Sequence, residues 1–542
     1  MNKPFAITLE VGTSRANHTG AWRTSRPVYL DRLPPCNQGC PAGENIQAWL
    51  SHAEEGNYQA AWEEIVRNNP LPAIMGRVCY HPCESVCNRA KLDSAVNIHS
   101  VERFLGDLAI KEGWRVTVQA PASGKKVLVI GSGPSGLSAA YHLARLGHTV
   151  IIMEAEDEAG GMMRYGIPTY RLPRAVLDAE IGRILDLGVA LQLNAKVENI
   201  PETMARGGFD ACFVAIGAHL AKRVRIPTPD AGRILDALSM LHAVETGDEP
   251  LQLGRQVVVY GGGNTALDAA RTAKRLGHEA VIVYRRTRER MPAHDFEVRE
   301  ALEEGVTMRW LSTITELGEV GITVERMELD ESSWPQPTGE VETIAGDSLV
   351  LALGQDVDTT VLERIPGVQP AKDGVVTVDS TMMTGYPGIF AGGDMVPAER
   401  TVTVAVGHGK KAARCIDAYL RASTYQIPPK HEVASFEKLN TWYYSDADKT
   451  VQPALDLVRR QTTFEEVVGG LDQTNALFEA RRCLSCGNCF ECDNCFGVCP
   501  DNAVIKLGPG KRFAFNLDFC KGCGMCEQEC PCGAIAMVPE EI

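Results

Sequence analysis

The sequence predicts a multidomain α/β protein with two Rossmann-like nucleotide-binding domains in its middle and an α+β iron–sulfur domain at its C-terminus. Three observations carry that prediction. A strand–glycine loop–helix–strand unit occurs twice, at residues 125–155 and 255–286. Eleven of the 18 cysteines lie in the last sixty residues, at short regular spacings. The chain has 542 residues, 44% of them hydrophobic and 23% charged, enough for several globular cores. A formal charge of −15 argues against nucleic acid as a partner. With no apolar run of about 18 residues, no membrane span is expected. The opening MNKPFAITLEVGTSRANHTG lacks the apolar core of a secretory signal. Cysteines at metal spacings in such a chain fit a reducing cytoplasm better than a disulfide framework.

The first repeat starts with the β-branched run Val127–Ile130 and ends it at Gly131. Gly131, Gly133 and Gly136 give G-x-G-x-x-G, followed by a helix over residues 135–146 and a strand over 149–153. Such glycines permit a tight turn and let backbone N–H groups approach a pyrophosphate at the helix N-terminus. Glu154 ends the second strand, where a carboxylate suits the hydroxyls of an adenosine ribose.

The second repeat carries Gly261, Gly263 and Ala266 in the same frame. Its second strand ends in Tyr284-Arg285-Arg286 instead of an acid. A carboxylate repels a 2′-phosphate and guanidiniums clamp one, so NADP(H) is expected here, with NAD(H) as the alternative. Two nucleotide sites in one chain suggest a bound flavin, FAD, and an exchangeable nicotinamide. The short apolar strands ending in Gly217 and Gly354, and the run Gly388-Ile389-Phe390-Ala391-Gly392-Gly393-Asp394, fit the flavin half. Gly393 and Asp394 suit the ribityl and pyrophosphate region.

At the C-terminus, Cys489, Cys492, Cys495 and Cys499 form C-x2-C-x2-C-x3-C-P, and Cys520, Cys523, Cys526 and Cys530 repeat it. Bacterial two-cluster ferredoxins use this run, with the fourth cysteine of each run serving the other cluster. The expected ligand sets for two [4Fe–4S] clusters are therefore Cys489, Cys492, Cys495 and Cys530, and Cys520, Cys523, Cys526 and Cys499. Zinc ribbons also use C-x2-C pairs but have no need of C-x3-C-P twice. Cys483 and Cys486 extend the ladder upstream and Cys532 trails it. They either permit a shifted choice of ligands or are spare thiols, the latter being the favoured expectation. The isolated Cys212 and Cys415 have no assigned role.

GGMMRYGIPTYRLP (160–173), GGGNTALDAAR (261–271), YRRTRERMPA (284–293) and GIFAGGD (388–394) together resemble the small subunit of NADPH-dependent glutamate synthase and its relatives. These include the flavin halves of dihydropyrimidine dehydrogenase and of a bifurcating NADH-dependent ferredoxin:NADP oxidoreductase. The resemblance spans roughly residues 30–420. It implies a glutathione-reductase-like arrangement, with an NAD(P)H domain inserted into an FAD domain, preceded by a helical iron–sulfur domain. It adds Gly161, Asn264 and Thr265 to the nucleotide-binding residues. It also implies that Cys36, Cys40, Cys79, Cys83 and Cys87 serve iron–sulfur chemistry. The family has a further C-x2-C upstream of Cys36, where this chain has RPVYLDRLPP (26–35). Five cysteines supply one [4Fe–4S] cluster comfortably but not two. By the resemblance Cys40, Cys79 and Cys83 share it with an open fourth ligand, Glu102 sitting near the expected position, while Cys36 and Cys87 belong to an incomplete second cluster.

The expected boundaries are 1–120 for the helical iron–sulfur domain, 121–245 and 346–430 for the two parts of the FAD domain, 246–345 for the NAD(P)H domain, 431–482 for a helical linker and 483–542 for the two-cluster ferredoxin domain. Met162 and Met163 stand in the GG-x-x segment, so disulfide-reductase chemistry is not expected. Hydride transfer needs orientation more than acid–base catalysis, so no catalytic side chain is assigned, and His219 and His408 are expected to be structural. The resemblance implies an electron-transfer subunit between NADP(H) and a ferredoxin-like carrier or a catalytic partner such as a 2-oxoacid:ferredoxin-type oxidoreductase. The alternatives are a glutamate synthase small subunit feeding an amidotransferase and a non-enzymatic scaffold.

Overall fold

Two five-stranded parallel sheets form the centre of the computed structural model, which describes residues 18–247, 252–368, 370–371 and 374–540. The expectation about a secretory signal falls mostly on residues 1–17, outside the described residues. The first sheet runs in the order Ile389–Ala391, Ala211–Val214, Lys126–Ile130, Thr149–Met153, Ala190–Gln192. Its central residues Val127, Leu128 and Val129 are fully buried, because helices cover both faces. The helix Pro134–Arg145 follows the first strand, and the long helix Val402–Leu420 packs along it.

The second sheet runs Thr307–Arg309, Glu279–Val283, Gln256–Tyr260, Ser348–Leu351, Ile234–Asp236, again all parallel. The chain crosses between the two domains through a short antiparallel pair, Leu220–Ala221 with Gln355–Asp356. The nicotinamide domain therefore extends past both edges of the expected 246–345. The apolar strand before Gly354, assigned from the sequence to the flavin half, pairs instead with Gln256–Tyr260 and Ile234–Asp236. An apolar run signals burial but not which of two similar sheets buries it. A three-stranded antiparallel sheet, Ser312–Leu317, Ile322–Leu329 and Pro335–Ile344, packs beside this domain.

Ahead of the first sheet lie the helices Pro35–Gly39, Ile46–Glu54, Tyr58–Val66, Pro72–Val78, Pro82–Ser85 and Ile98–Lys111. Fully buried Trp49, Trp62, Ile65 and Leu105 fill their core. This unit is docked on the flavin domain by a borrowed cap. Glu180, on the helix Arg174–Leu185, accepts hydrogen bonds from Ala73 N and Ile74 N at 3.1 and 3.0 Å, satisfying N–H groups at the start of Pro72–Val78.

The two ends of the chain meet. Ser25–Tyr29 is a strand that pairs antiparallel with Ile535–Pro539, so the first domain, expected to be mostly helical, lends a strand to the C-terminal unit. That unit holds the hairpin of Val504–Lys506 and Phe513–Phe515 and the short helices Asn494–Val498 and Met525–Gln528. Residues 431–482 are not a run of amphipathic helices. They hold two, Leu457–Thr462 and Gln473–Arg481, with 3-10 turns at Phe436–Lys438 and Thr441–Tyr443, and they fold back over the N-terminal helices. No helix of the described residues is long and apolar enough to cross a membrane.

Candidate functional site

The first glycine loop has the shape of a pyrophosphate cradle. Gly131 takes φ +98 and lies against Ala215 O, and a side chain at Gly136 would overlap Gly131 O. Gly133 differs: a Cβ there would meet no protein atom within 4 Å, so its backbone faces open space at the N-terminus of Pro134–Arg145. Ser135 Oγ is buried beside it with no hydrogen-bond partner in the protein. Gly393 closes over Ser135, and Gly161 closes over Gly133. A phosphate would satisfy the orphaned hydroxyl, and the free N–H groups of the helix end favour an anion there.

Glu154 is buried at the end of its strand. Its Oε2 accepts from Ser132 N and Oγ at 2.7 and 2.6 Å, and its Oε1 accepts from Glu156 N at 3.0 Å. The residue thus ties down the glycine loop and keeps acceptor capacity on Oε1 for a ribose hydroxyl. Gly217, at φ +70, lies beside the His219 ring on the crossing segment. Gly393 N donates to His408 Nδ1 at 3.2 Å, which makes that nitrogen an acceptor, and burial lowers the His408 pKa. His408 therefore shapes the Gly393-Asp394 turn, a structural role of the kind expected of it. Burial raises the Asp394 carboxyl, with Arg400 opposing the shift.

The second cradle repeats the first. Gly261 takes φ +148, and a Cβ at Gly263 would again meet nothing within 4 Å. Asn264 and Thr265 open the helix Asn264–Arg275. Asn264 Nδ2 donates to Tyr80 Oη at 2.6 Å and its Oδ1 accepts from His294 N at 3.2 Å. Asn264 is therefore spent on a contact with the N-terminal helices, reinforced by Tyr80 stacking on His294 at 3.7 Å. Arg285 and Arg286 lie 5.6 and 4.8 Å from the Trp334 ring, and among the described residues neither forms an ion pair. They are held in place by an aromatic face with their charge unspent, as a 2′-phosphate requires.

The N-terminal cysteines divide into two groups. Cys40 and Cys79 share surroundings with Glu44 and Glu102, and Cys83 lies in electrostatic reach of Cys40 and Cys79. Burial raises the Cys40 thiol, and Glu44, Glu102 and Cys79 add to the shift. Asn69 Nδ2 donates to Glu44 Oε1 at 3.0 Å and to Glu102 Oε1 at 2.8 Å, joining the two carboxyls in one buried network. Burial raises the pKa of both. Glu102 lies in electrostatic reach of Cys40 and Cys79, and Glu44, four residues after Cys40, is a second oxygen donor that spacing did not single out. Three thiols and a carboxyl fit a [4Fe–4S] cluster with one oxygen ligand, whose cations would favour the ionised groups that burial alone opposes. Cys36 and Cys87 face away, into a separate cavity that also takes in Cys483 and Cys486. The last two thus line a cavity with the N-terminal cysteines instead of the ferredoxin cavity, and they are the site residues that sequence reasoning set aside.

In the C-terminal unit a cavity of about 360 Å³ is lined by Cys499, Cys520, Cys523 and Cys526, which brings together one of the two expected sets. Cys489, Cys492, Cys495 and Cys530 form the other neighbourhood, each in electrostatic reach of the rest. Tyr29, from the borrowed strand, reaches Cys495 Sγ at 3.7 Å. Cys532 Sγ lies 3.7 Å from Cys530 Sγ.

The sulfurs stand farther apart than a zinc site would hold them. Among the described residues the trio of metal-capable atoms lying within 4.8 Å of one another is His81, Glu84 and His99, and no cysteine trio is that tight. A tetrahedral zinc site with bonds of about 2.3 Å would draw its sulfurs to roughly 3.8 Å. In the His81–Glu84–His99 trio, Glu84 and His99 are already engaged, while His81 Nε2 is buried without a hydrogen-bond partner. His99 Nδ1 bonds Glu84 Oε1 at 2.7 Å, Lys449 bonds Glu84 Oε2 at 2.6 Å, and the rings stack at 3.6 Å. In the flavin domain Cys212 and Cys415 are free and buried, on a strand and a helix respectively.

Residues 125–409 match the pyridine nucleotide-disulphide oxidoreductase family. Residues 17–114 match domain II of dihydropyrimidine dehydrogenase, with its 4Fe-4S cluster, and residues 513–536 match the 4Fe-4S binding domain. The chain is 36% identical over 526 residues to the beta subunit of NADP(+)-dependent formate dehydrogenase of Moorella thermoacetica, covering 88% of this chain and 74% of that protein. It is 33% identical over 513 residues to the beta subunit of NADPH-Fe(3+) oxidoreductase of Geobacter sulfurreducens, covering 84% and 76% respectively. It is 34% identical over 424 residues to the small chain of NADPH glutamate synthase of Azospirillum brasilense, covering 72% and 87%.

Proposed function

The chain belongs to the pyridine nucleotide-disulphide oxidoreductase family, as an FAD- and NADP-dependent iron–sulfur oxidoreductase, and from that premise we propose that it is the electron-transfer subunit of a larger enzyme. NADP(H) docks on the Gly261–Gly263 cradle with its 2′-phosphate on Arg285 and Arg286. FAD lies on the Gly131–Gly133 cradle, under Gly393 and Asp394. When bound, the flavin exchanges electron pairs with the nicotinamide as hydride and single electrons with iron–sulfur clusters. The side chains around it bind and orient and need not move a proton.

One observation carries this reading. The helix Val402–Leu420 starts just after the Gly393-Asp394 turn and ends its first two turns against the Cys40 loop. Lys410 Nζ donates to Ala42 O, Gly43 O and Asn68 Oδ1. A side chain at Gly407 would collide with Pro41 O. The flavin cradle and the first cysteine group thus share one rigid element, as electron transfer between them requires. Tyr80, next to Cys79, touches the nicotinamide cradle in the same way.

The exit partner is a ferredoxin-like carrier or a catalytic subunit of the 2-oxoacid:ferredoxin-type class, and the many unpaired cysteines support a reducing cytoplasm as its location. The test is anaerobic mixing with NADPH, followed by isolation of the native complex. NADPH should bleach the flavin and then produce reduced-cluster EPR signals. Failure to bleach the flavin, or clusters that stay oxidised after it is bleached, would refute the reading. Co-purification with a large amidotransferase would make the chain a glutamate synthase subunit instead.

A further inference from the structure

Four cysteines drawn from opposite ends of the chain surround one cavity. Cys36, Cys87, Cys483 and Cys486 line it, as Cys499, Cys520, Cys523 and Cys526 line the ferredoxin cavity. Cys36 follows the first residue of the helix Pro35–Gly39, and Cys87 precedes the 3-10 turn Asn88–Lys91. Cys483 and Cys486 arrive on the loop after Gln473–Arg481. None of the four belongs to another cysteine group. Asn88, next to Cys87, donates to Cys486 Sγ at 3.5 Å, so the two halves are joined at the sulfurs themselves.

The incoming loop has the local geometry of a cluster-binding loop. Ser485 N donates to Cys483 Sγ at 3.4 Å, as Gly522 N does to Cys520 Sγ at 3.4 Å. In the first C-x2-C of each of the three stretches that open at Cys483, Cys489 and Cys520, the residue two places after the first cysteine is left-handed: Ser485 at φ 47, Glu491 at φ 60 and Gly522 at φ 71. A serine and a glutamate adopt that conformation only at some cost, which spare thiols would give no reason to bear. Among the described residues no three of these sulfurs lie within 4.8 Å of one another, a wider spread than a zinc site holds.

We infer that Cys36, Cys87, Cys483 and Cys486 hold a further [4Fe–4S] cluster, with two ligands from each end of the chain, which joins the N-terminal iron–sulfur group to the ferredoxin domain. Four thiolates, one per iron, complete it without an oxygen ligand. Its position follows from the covalent chain. Cys36 is four residues from Cys40 and Cys83 is four from Cys87, so the Cys40 group is at most roughly 14 Å away between Cα atoms. Cys486 is three residues from Cys489, at most roughly 11 Å. The site takes one electron from one neighbour and gives one to the other, so charge balances with no bond made or broken.

This assignment rests on the electron-transfer reading above but is tested apart from it. The full chain and its Cys483→Ser/Cys486→Ser variant are purified anaerobically. Iron, zinc and acid-labile sulfide are measured per FAD, with EPR after dithionite and flavin bleaching by NADPH. The expected result is a loss of about four irons and four sulfides per FAD. Flavin bleaching and the EPR of the ferredoxin clusters should persist. Unchanged iron, or the loss of about one zinc instead, overturns the assignment. Should the double variant lose FAD as well, Cys36→Ser and Cys87→Ser each carry the same test without touching the C-terminal segment. Cys532→Ser must leave the iron count unchanged, and a loss there would also overturn the assignment. If NADPH fails to bleach the wild-type flavin, the functional reading falls and the iron count still decides this one.

Discussion

Replacing Arg285 and Arg286 by alanine tests the nucleotide assignment at small cost to the fold. Neither guanidinium forms an ion pair among the described residues, and their common neighbour is the Trp334 ring at 5.6 and 4.8 Å. Losing two such exposed cation–π contacts costs about 1–2 kcal/mol of stability. A hydrogen bond to a charged group contributes about 1.5–3 kcal/mol. Arg285 is exposed and Arg286 half-buried, so the low end applies to both, giving about 3 kcal/mol against the 2′-phosphate. That is about a hundredfold in kcat/KM for NADPH. NADH lacks the 2′-phosphate and should change by less than about threefold. The assay is anaerobic dye reduction with each nucleotide, with FAD content measured on the same samples. Equal losses with both nucleotides would show that the arginines orient the strand end. An unchanged NADPH constant would place the 2′-phosphate elsewhere. Either result refutes the reasoning.

Glu304 is fully buried between Arg271, Arg275 and Arg460, with bonds of 2.7–3.2 Å to all three. Glu304→Gln leaves those buried guanidiniums without their charge partner and should cost about 3–5 kcal/mol, read from denaturant or thermal unfolding. Burial alone would raise the Glu304 carboxyl, but hydrogen bonds from Arg271 and Arg275 outweigh it and lower it from 4.5 to about 2. Its stabilisation is therefore complete above the unfolded value and fades as pH falls from about 4.5 to about 2. The Gln variant should flatten stability across that window, and a parallel profile would refute the pairing. Gly136→Ala places a methyl against Gly131 O and should release FAD, read as the flavin-to-protein ratio; full retention would mean that the loop can shift. Stripping the clusters with chelator and ferricyanide should leave NADPH-driven flavin bleaching intact and end delivery to ferredoxin-type acceptors.

What the sequence disclosed was local. The two nucleotide units could be read because strand, glycine loop and helix follow one another within thirty residues. The expected helix 135–146 compares with the observed Pro134–Arg145. The ferredoxin cysteines were legible for the same reason, since their spacing encodes their loops. What stayed hidden was contact across the chain. Nothing near Ser25–Tyr29 announces a partner at Ile535–Pro539, and Cys36 with Cys87 looked incomplete because the other two thiols lie beyond every nucleotide-binding motif. Ser348–Leu351 was given to the wrong sheet because buried parallel strands in both domains share one pattern. Glu44 carried no motif, and only burial and partners reveal it.

The segment 431–482 shows why those long-range contacts are reproducible. Its guanidiniums reach the nicotinamide domain and the N-terminal helical unit. Arg460 closes on Glu304 in the nicotinamide domain, while Arg482 bonds Glu479, Asp93, and the carbonyls of Ser94, Ala95 and Ala447. A buried ionic network adds little net stability compared with apolar packing, but its directional bonds fix register. Arg482 immediately precedes Cys483, and its partners at 93–95 lie on the loop that follows Cys87. The fork therefore sets where Cys483 sits relative to Cys87. Arg482→Lys keeps the charge and loses the planar fork, so most of these bonds cannot be remade. It should lower the unfolding midpoint, as Glu304→Gln does, and should also lower iron per FAD, which Glu304→Gln should not. Equal iron in both variants would mean that the network stabilises the fold without placing the thiols.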